Sequence, residues 1–549
     1  MNKKTIILLP TLIAVSVAIG ILVGNMLNRN TQPVFGGMGF NQPNKISTIL
    51  DLIDRGYVDS VNTGEIIEET IPELLKSLDP HTSYIPARDM QEVQEEMQGN
   101  FSGIGVQFSI QEDTVRVVEV ISGGPSSKVG ILPGDCIVLV DDSLIAGVDV
   151  RNKTVLSLLR GEKNSKVHVG IVRKGYDDVL DFEITRGDIP IYSVDVSYMI
   201  DDETGFIKVS RFANTTYDEF VQGIKKLEGL GAKKVIVDLR NNPGGSLVGV
   251  LQMVDEFLEK GEPILYTEGM NQPRKTYNAS GKNSFANIGV YVMIDEFSAS
   301  ASEIFAGAMQ DNDRGIVIGR RSFGKGLVQE QIPLSDGSAL RLTVARFYTP
   351  SGRCIQSSYE GGNEEYYNNI YERFHNMEQL VADSIHFVDS LRYETKGGRV
   401  VYGGGGIMPD FFVPVDTTGN SEYFTSIYRK GLIYSFAYSY ADAHREELAK
   451  LTTADDFDSY LDKKNALADF VSYASEKGVK RDSKGLKISG DIINTQLKAY
   501  IARNIMGEEG FYPIIKKIDK TLLRAIEVSQ QNLLVENIVA TDSIVVPLR

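Results

Sequence analysis

The chain has 549 residues, 42% hydrophobic and 24% charged, the proportions of a globular protein with core enough for three or four domains. A formal net charge of −16 repels phosphate backbones and argues against nucleic acid as a partner. The two cysteines, Cys136 and Cys354, lie far apart with no CxxC, which excludes a disulfide framework or a zinc finger.

Lys3 and Lys4 precede an apolar run from Thr5 to Leu27. That is long enough to span a bilayer, and it ends in GNMLNR without a clear cleavage site. Residues 1–30 therefore read as a membrane anchor or signal, with the uncleaved anchor favoured over a removed signal peptide. Its lysines stay cytoplasmic, which places residues 31–549 outside the inner membrane. Residues 31–43 (TQPVFGGMGFNQP) have linker composition, and residues 45–98 have helical periodicity broken by LDPHTSYIP; together they make 31–98 a linker and N-terminal helical region. From 99 to 187 short β runs alternate with glycine turns around one helical stretch, NKTVLSLLRG at 152–161, which predicts a compact β-rich module.

From 188 to 418 strands and helices alternate. KKVIVDL leads into RNNPGG and a helix, VYVMIDE leads into FSASASEIFAGAMQD, and GIVIG follows, a pattern of parallel α/β architecture. SALRLTVARFYTP reads as a further strand, and GGGGIMPDFFVPVD returns to the core after a polar, Tyr-rich insertion at 352–398. Residues 419–549 are amphipathic helix in several pieces.

The chemistry is sought at the strand ends. Of the five histidines, His81, His168, His375, His386 and His444, none lies between 235 and 350, and no HExxH or other metal-ligand spacing is present. No metal or cofactor is expected. SASASE at 298–303 sits where a buried strand meets a helix, and unpaired N–H groups of a helix start stabilise developing negative charge. Ser300-x-x-Glu303 also fits a capping box, a structural helix start. The glycines of RNNPGG allow close backbone approach, and their N–H groups could complete an oxyanion hole; Pro-Gly-Gly is equally a plain turn.

GRRSFGK imitates a phosphate loop, but Gly326 stands where Ser or Thr is needed and a strand follows. Ser322-x-x-Lys325 imitates the SxxK of penicillin-binding enzymes, but Phe-Gly-Lys-Gly is a poor helix. What remains is Lys325 as a base. A lysine titrates near ~10.4, and a desolvated site can lower that by about 3–5 units.

LDPHTSYIP, FSGIGVQF, PSSKVGILPGDCIVLVDD, VDLRNNPGG, SASASEIFAGAMQD, GKGLVQ, TPSGR and GGGGIMPD occur in that order between residues 45 and 415. Together they resemble the carboxyl-terminal processing peptidases, or tail-specific proteases. The resemblance implies a crotonase-like α/β serine protease core with an inserted PDZ domain, beside the N-terminal membrane helix and the C-terminal helical region. It implies Ser300 as nucleophile rather than Ser298 or Ser302, Lys325 as base and Gln329 as the group orienting the amine. Gly244 or Gly245, with Ala301, would form the oxyanion hole, and Asp311 would be structural. In the PDZ domain Gly103, Ile104, Gly105 and Val106 would hold a terminal carboxylate, the peptide would add as a strand, and Val155 and Leu158 would line its side-chain pocket.

The implied function is a cell-envelope serine endopeptidase acting on protein or peptide substrates with free C-termini. The regions outside the resemblance, 352–398 and 419–549, are open to roles as dimer contacts, as a cap or as an adaptor site, and a homo-oligomer would form through the N- or C-terminal helices. Two competitors are a silent PDZ-type scaffold on a protease-like core and an acyl-CoA enzyme on the same fold.

Overall fold

The structure is a computed structural model and describes residues 45–111, 113–121, 123–385 and 388–531. The expected anchor at 5–27, the linker at 31–43 and the last 18 or so residues of the chain lie outside the described residues. Among the described residues no helix is long and apolar enough to cross a membrane.

The described chain divides into two units, 45–71 and 72–531. The first holds α1 (Lys45–Gly56) and the greater part of α2 (Thr63–Leu75). α1 buries none of its residues, although Ile46, Ile49 and Leu52 recur at helical spacing.

The second unit begins with the end of α2, then a loop and β1 (Ser83–Ile85), followed by α3 (Met90–Gln98). The β-rich module comprises β2 (Asn100–Gly103), β3 (Val106–Gln111), β4 (Thr114–Val120), α4 (Pro125–Val129), β5 (Cys136–Val140), β6 (Ser143–Leu144), α5 (Asn152–Leu159), β7 (Lys166–Val172), β8 (Leu180–Thr185) and β9 (Gly187–Pro190). Its main sheet has the order β3-β4-β5-β7-β8, so β3 is an edge strand. The alternating apolar residues of β4 and β7 point into one core with Ile104 and Val155.

The α/β layer follows: β10 (Val194–Met199), β11 (Thr204–Val209), α6 (Thr216–Gly229), β12 (Lys234–Asp238), α7 (Leu247–Asp255), β13 (Pro263–Gly269), β14 (Gln272–Asn278), β15 (Gly289–Ile294), α8 (Ala301–Asp311), β16 (Gly315–Gly319), β17 (Leu327–Pro333) and β18 (Ala339–Tyr348). Then come α9 (Asn363–His375), β19 (Arg392–Glu394), β20 (Val400–Tyr402) and β21 (Phe411–Phe412). The central sheet has the order β10-β11-β12-β15-β16-β21, parallel throughout except for β10. Its middle strands are near-continuous apolar runs because both faces are covered. Phe220, Met253 and Phe305, from α6, α7 and α8, lie in the core on one face. A second sheet, β1-β18-β13-β14 with β17 also on β18, stands beside it.

The remaining helices are α10 (Glu422–Arg429), α11 (Leu432–Ala443), α12 (Arg445–Leu448), α13 (Ala454–Lys464), α14 (Ala466–Glu476), α15 (Ser483–Met506), α16 (Glu508–Ile515) and α17 (Lys520–Gln530). Most pack into a core of their own. The sequence reading set 419–549 apart from the α/β core, and here the structure differs. Leu522, Ala525 and Val528 of α17 cover the other face of the central sheet, against Phe206, Ile236, Tyr291, Met293 and Ile318. Asp519, which caps α17, also pairs with Arg240 at 2.6 Å. The amphipathic pattern of α17 was readable, but its partner, a sheet formed some 300 residues earlier, was not.

Candidate active site

The parallel strands β12 and β15 end side by side, and the two loops that leave them meet. The loop after β15 turns through Asp295–Ala299 into α8. Ser300, at the turn, has φ 54° and ψ −111°, a conformation a side chain adopts at a cost of roughly 1–3 kcal/mol. The surroundings enforce it. The Asn242 carbonyl accepts the Ala299 N–H at 3.0 Å and the Ser302 hydroxyl at 2.9 Å, and so grips the chain on both sides of Ser300.

The three serines of SASASE are not equivalent. Ser298 is fully buried; its Oγ donates to the Leu239 carbonyl at 2.9 Å and accepts the Asp295 N–H. Ser302 is also fully buried and spends its proton on Asn242. Ser300 alone of the three retains exposed surface.

The glycines of RNNPGG lie against this turn. A Cβ on Gly244 (φ +96°) would stand 2.8 Å from both the Ala301 nitrogen and the Ser300 Cβ. One on Gly245 (φ +142°) would stand 2.0 Å from the Phe212 carbonyl oxygen. Neither position tolerates a side chain. The Gly244 N–H is donated to Asn242 Oδ1 at 2.9 Å. Of the two glycines expected to serve an oxyanion hole, the N–H of Gly244 is thus engaged within its own loop, although Gly244 is the one that lies against Ala301, the first residue of α8, where a helix leaves its N–H groups without intrahelical partners.

Glu303 joins the serine turn to the lysine loop. It is fully buried, and each carboxylate oxygen accepts two donors. Oε2 takes the Ser300 N–H at 2.8 Å and the Lys325 N–H at 2.9 Å. Oε1 takes the Ser322 hydroxyl at 2.5 Å and the Gly324 N–H at 2.7 Å. Burial pushes this carboxyl above its ordinary pKa, and the four donors pull the other way. Residues 25 apart in sequence, Ser300 and Lys325, thereby hang on a single oxygen atom. The capping box read from the sequence is present, and the same side chain also organises the facing loop.

Lys325 Nζ donates to Gln329 Oε1 at 3.1 Å, and Gln329 Nε2 donates to the His81 carbonyl, which fixes which end of the amide faces the lysine. Burial holds the Lys325 pKa below the ordinary lysine value; the Arg341 charge pushes the same way, and Glu303 and Asp79 oppose it.

His81 was not assigned to the site from sequence, because it lies 248 residues from Gln329. Its ring contacts the Tyr366 hydroxyl at 2.9 Å. Burial, with help from Lys325, pushes its pKa down to about 4, so it is neutral near pH 7. Its loop is pinned by Asp79 Oδ1, which accepts the N–H groups of His81 and Thr82.

Residues 352–398, read from the sequence as an insertion beyond the core, supply further braces. Tyr366 of α9 meets His81, and Tyr367 donates to the Pro80 carbonyl at 2.6 Å. Arg373 donates to the carbonyls of Ser322 and Arg321 at 2.9 and 2.7 Å and pairs with Glu378. At the end of α8, Asp311 pairs with Arg353, both side chains being wholly buried.

In the β-rich module Ile104 is buried and its carbonyl accepts the Ser126 N–H; the Gly105 carbonyl accepts the Ile121 N–H. Gly103 pairs with Gly187 in β9, and Val106 opens edge strand β3. The expectation for Val155 is corrected: it has no exposed surface, because it faces inward from α5 as core. Leu158 is half-buried against the same core, whereas Leu156, not singled out from the sequence, is 40% exposed. Among the described residues no group of three or more His, Cys, Asp or Glu could hold a metal ion.

Glu303→Gln places an amide NH2 where one acceptor oxygen stood, against donors that then lack a partner, at about 1–3 kcal/mol for each. Misplacing Ser300 against Lys325 by about 1 Å is expected to lower peptide hydrolysis about 10²-fold, and the denaturation midpoint should fall with it. Turnover near that of the unaltered protein would show that the four bonds do not set the site.

A family model described as Peptidase family S41 matches residues 203–363, one described as PDZ domain matches 102–184, and a family of unknown function matches 423–507. The chain is 34% identical over 322 residues to a carboxy-terminal-processing protease of Bartonella bacilliformis, covering 58% of this chain and 73% of that protein. It is 32% identical over 314 residues to carboxy-terminal processing protease CtpB of Bacillus subtilis, covering 57% of this chain and 65% of that protein. Among solved structures, the photosystem II D1 C-terminal processing protease is 27% identical, with a TM-score of 0.32 over 56% of this chain and 88% of that one. The chain belongs to the carboxy-terminal processing proteases, serine-type peptidases of family S41, and carries their hydrolase domain together with a PDZ domain.

Proposed function

We propose that this protein cleaves peptide bonds of envelope proteins by acylation of Ser300, with Lys325 as base. The observation that carries the reading is the shared carboxylate oxygen that ties the Ser300 and Lys325 backbones together. Neutral Lys325 takes the Ser300 proton as Oγ bonds to the scissile carbonyl carbon. The negative oxygen of the tetrahedral intermediate is received by the amides of Gly245 and Ala301. The ammonium then gives its proton to the departing amine, leaving an ester on Ser300. Water, deprotonated by the same lysine, releases the acid and restores the hydroxyl. Gln329 orients the amine throughout.

Ser300→Ala and Lys325→Ala are each expected to abolish hydrolysis, and the double variant to be no worse than either single one. Lys325→Arg should be equally inactive, since guanidinium stays protonated. The base is the unprotonated amine, so the rate should rise with pH, and the lowered pKa puts the midpoint below the ~10.4 of an ordinary lysine. Retained turnover in Ser300→Ala, measured with a fluorogenic peptide, would remove the nucleophile assignment and favour a silent scaffold.

The PDZ domain supplies substrate by its C-terminus, docking an added strand on β3 with the carboxylate at Gly103–Val106 and Leu156 and Leu158 beside it. A free-acid peptide should bind more tightly than its C-terminal amide, which lacks charge-assisted bonds of about 1.5–3 kcal/mol each. Equal affinities by fluorescence anisotropy would overturn this.

The apolar run at 5–27 anchors the protein in the inner membrane with its bulk outside the cytoplasm. The full chain should sediment with membranes, and protease added to spheroplasts should digest it; recovery in the soluble cytosol would overturn this.

A further inference from the structure

Arg341 lies on β18 beside the proposed base. Among the described residues its guanidinium makes no hydrogen bond and no ion pair. The arginines on the loop after β16 and on α9 differ: Arg320 pairs with Glu296 at 2.7 Å, Arg321 with Glu378 at 2.6 Å, and Arg373 with Glu378 at 3.1 Å.

The sheet register places Arg341. β17 sets Gln331 opposite Arg341 and Gln329 opposite Thr343, and β1 sets Ser83 opposite Arg341. Residues directly opposite share a face, and so do alternate residues of one strand. Arg341 and Gln329 are therefore diagonal neighbours on one face, about 7–8 Å apart at the backbone and within reach of long side chains. Gln329 holds the Lys325 amine, and Thr343 on the same face donates to Asp79 Oδ1 at 3.1 Å. Arg341 is only partly buried, and among the described residues its guanidinium has no protein partner. A planar guanidinium in that condition fits a carboxylate in two parallel bonds.

We propose that Arg341 is a specificity-determining residue that receives a carboxylate of the substrate chain close to the cleaved bond, an inference that rests on the Ser300–Lys325 reading. The carboxylate comes either from an acidic side chain or from the free C-terminus of a short tail. The influence of Arg341 on Lys325 agrees with this proximity.

The test uses the full chain in detergent with three sets of fluorogenic peptides: neutral side chains with an amidated end, the same with Glu scanned on both sides of the bond, and neutral side chains with a free end a few residues beyond it. The unaltered enzyme is expected to favour the second or third set over the first by about tenfold or more in kcat/KM, and the favoured set identifies the source. Arg341→Gln should erase that preference, and Arg341→Glu should turn it toward Lys-containing peptides. Arg341→Lys keeps the charge without the fork, so the preference should fall without vanishing; this variant carries the comparison if Arg341→Gln does not fold. Ratios unchanged from the unaltered enzyme would overturn the proposal. So would a uniform loss with an alkaline shift of the pH–rate profile, since Arg341 would then act only on Lys325. Anisotropy of the same peptides on Ser300→Ala separates the two readings. Preferential binding of acidic peptides there, lost on adding Arg341→Gln, supports the proposal even if the unaltered enzyme hydrolyses none of them.

Discussion

The site depends on one buried carboxylate. Glu303 has no solvent contact, and its four acceptor positions are filled by three backbone amides and a hydroxyl. That is the pattern of an ionised group paid back in hydrogen bonds for the water it lost. The donors come from two loops that leave different strands of one parallel sheet. A single atom thus converts the register of β15 and β16 into the relative position of the Ser300 turn and the Lys325 loop. Ser322 extends the link, because its hydroxyl donates to Glu303 and accepts the Ile407 N–H at 2.6 Å.

Around that carboxylate the structure spends stability on geometry. Ser300 holds a positive φ, Gly244 and Gly245 sit where no side chain fits, and Asn242 is buried with its side chain shared between the Val209 carbonyl and the Gly244 amide. Each constraint is local, and each is imposed by an element distant in the chain. Arg373 from α9 and the Asp79 loop before β1 press on the Lys325 side, while Asp519 from the C-terminal region reaches the RNNPGG loop through Arg240. Two of these braces, Arg373 and Asp519, come from segments that lack the common motifs, and the third comes from the motif LDPHTSYIP itself.

This explains what could be read from sequence and what could not. Parallel α/β alternation was legible because strands buried on both faces become apolar runs, as in KVIVD, GVYVMI and GIVIG. The residues of SASASE alone could not separate three serines. What separates them is burial against the Leu239 and Asn242 carbonyls, 59 and 60 residues upstream. His81 stands in the motif LDPHTSYIP, but nothing in that motif names its partner, and its meeting with Tyr366 spans 285 residues. Val155 misled because core and pocket positions alternate within a turn of a short helix, and an apolar residue type fits both.

With Lys325 as the proposed base, the electrostatics around it have two sides, because a base must serve in two charge states. Before attack the amine has to be neutral, and burial with the Arg341 charge favours that. During attack it becomes an ammonium in the same desolvated place, where burial alone would make the intermediate costly. Glu303 and Asp79 act in the opposite sense, and Gln329 Oε1 accepts from the amine in either state. A lysine surrounded only by apolar groups would be neutral but a poor proton acceptor; one paired directly with a carboxylate would never lose its proton. Carboxylates held at a distance and already occupied by backbone donors lie between these limits. A substrate carboxylate on Arg341 would weaken a positive charge that opposes protonation of Lys325, and would do so only when substrate is present. The base would then gain proton affinity at the moment it has a proton to take.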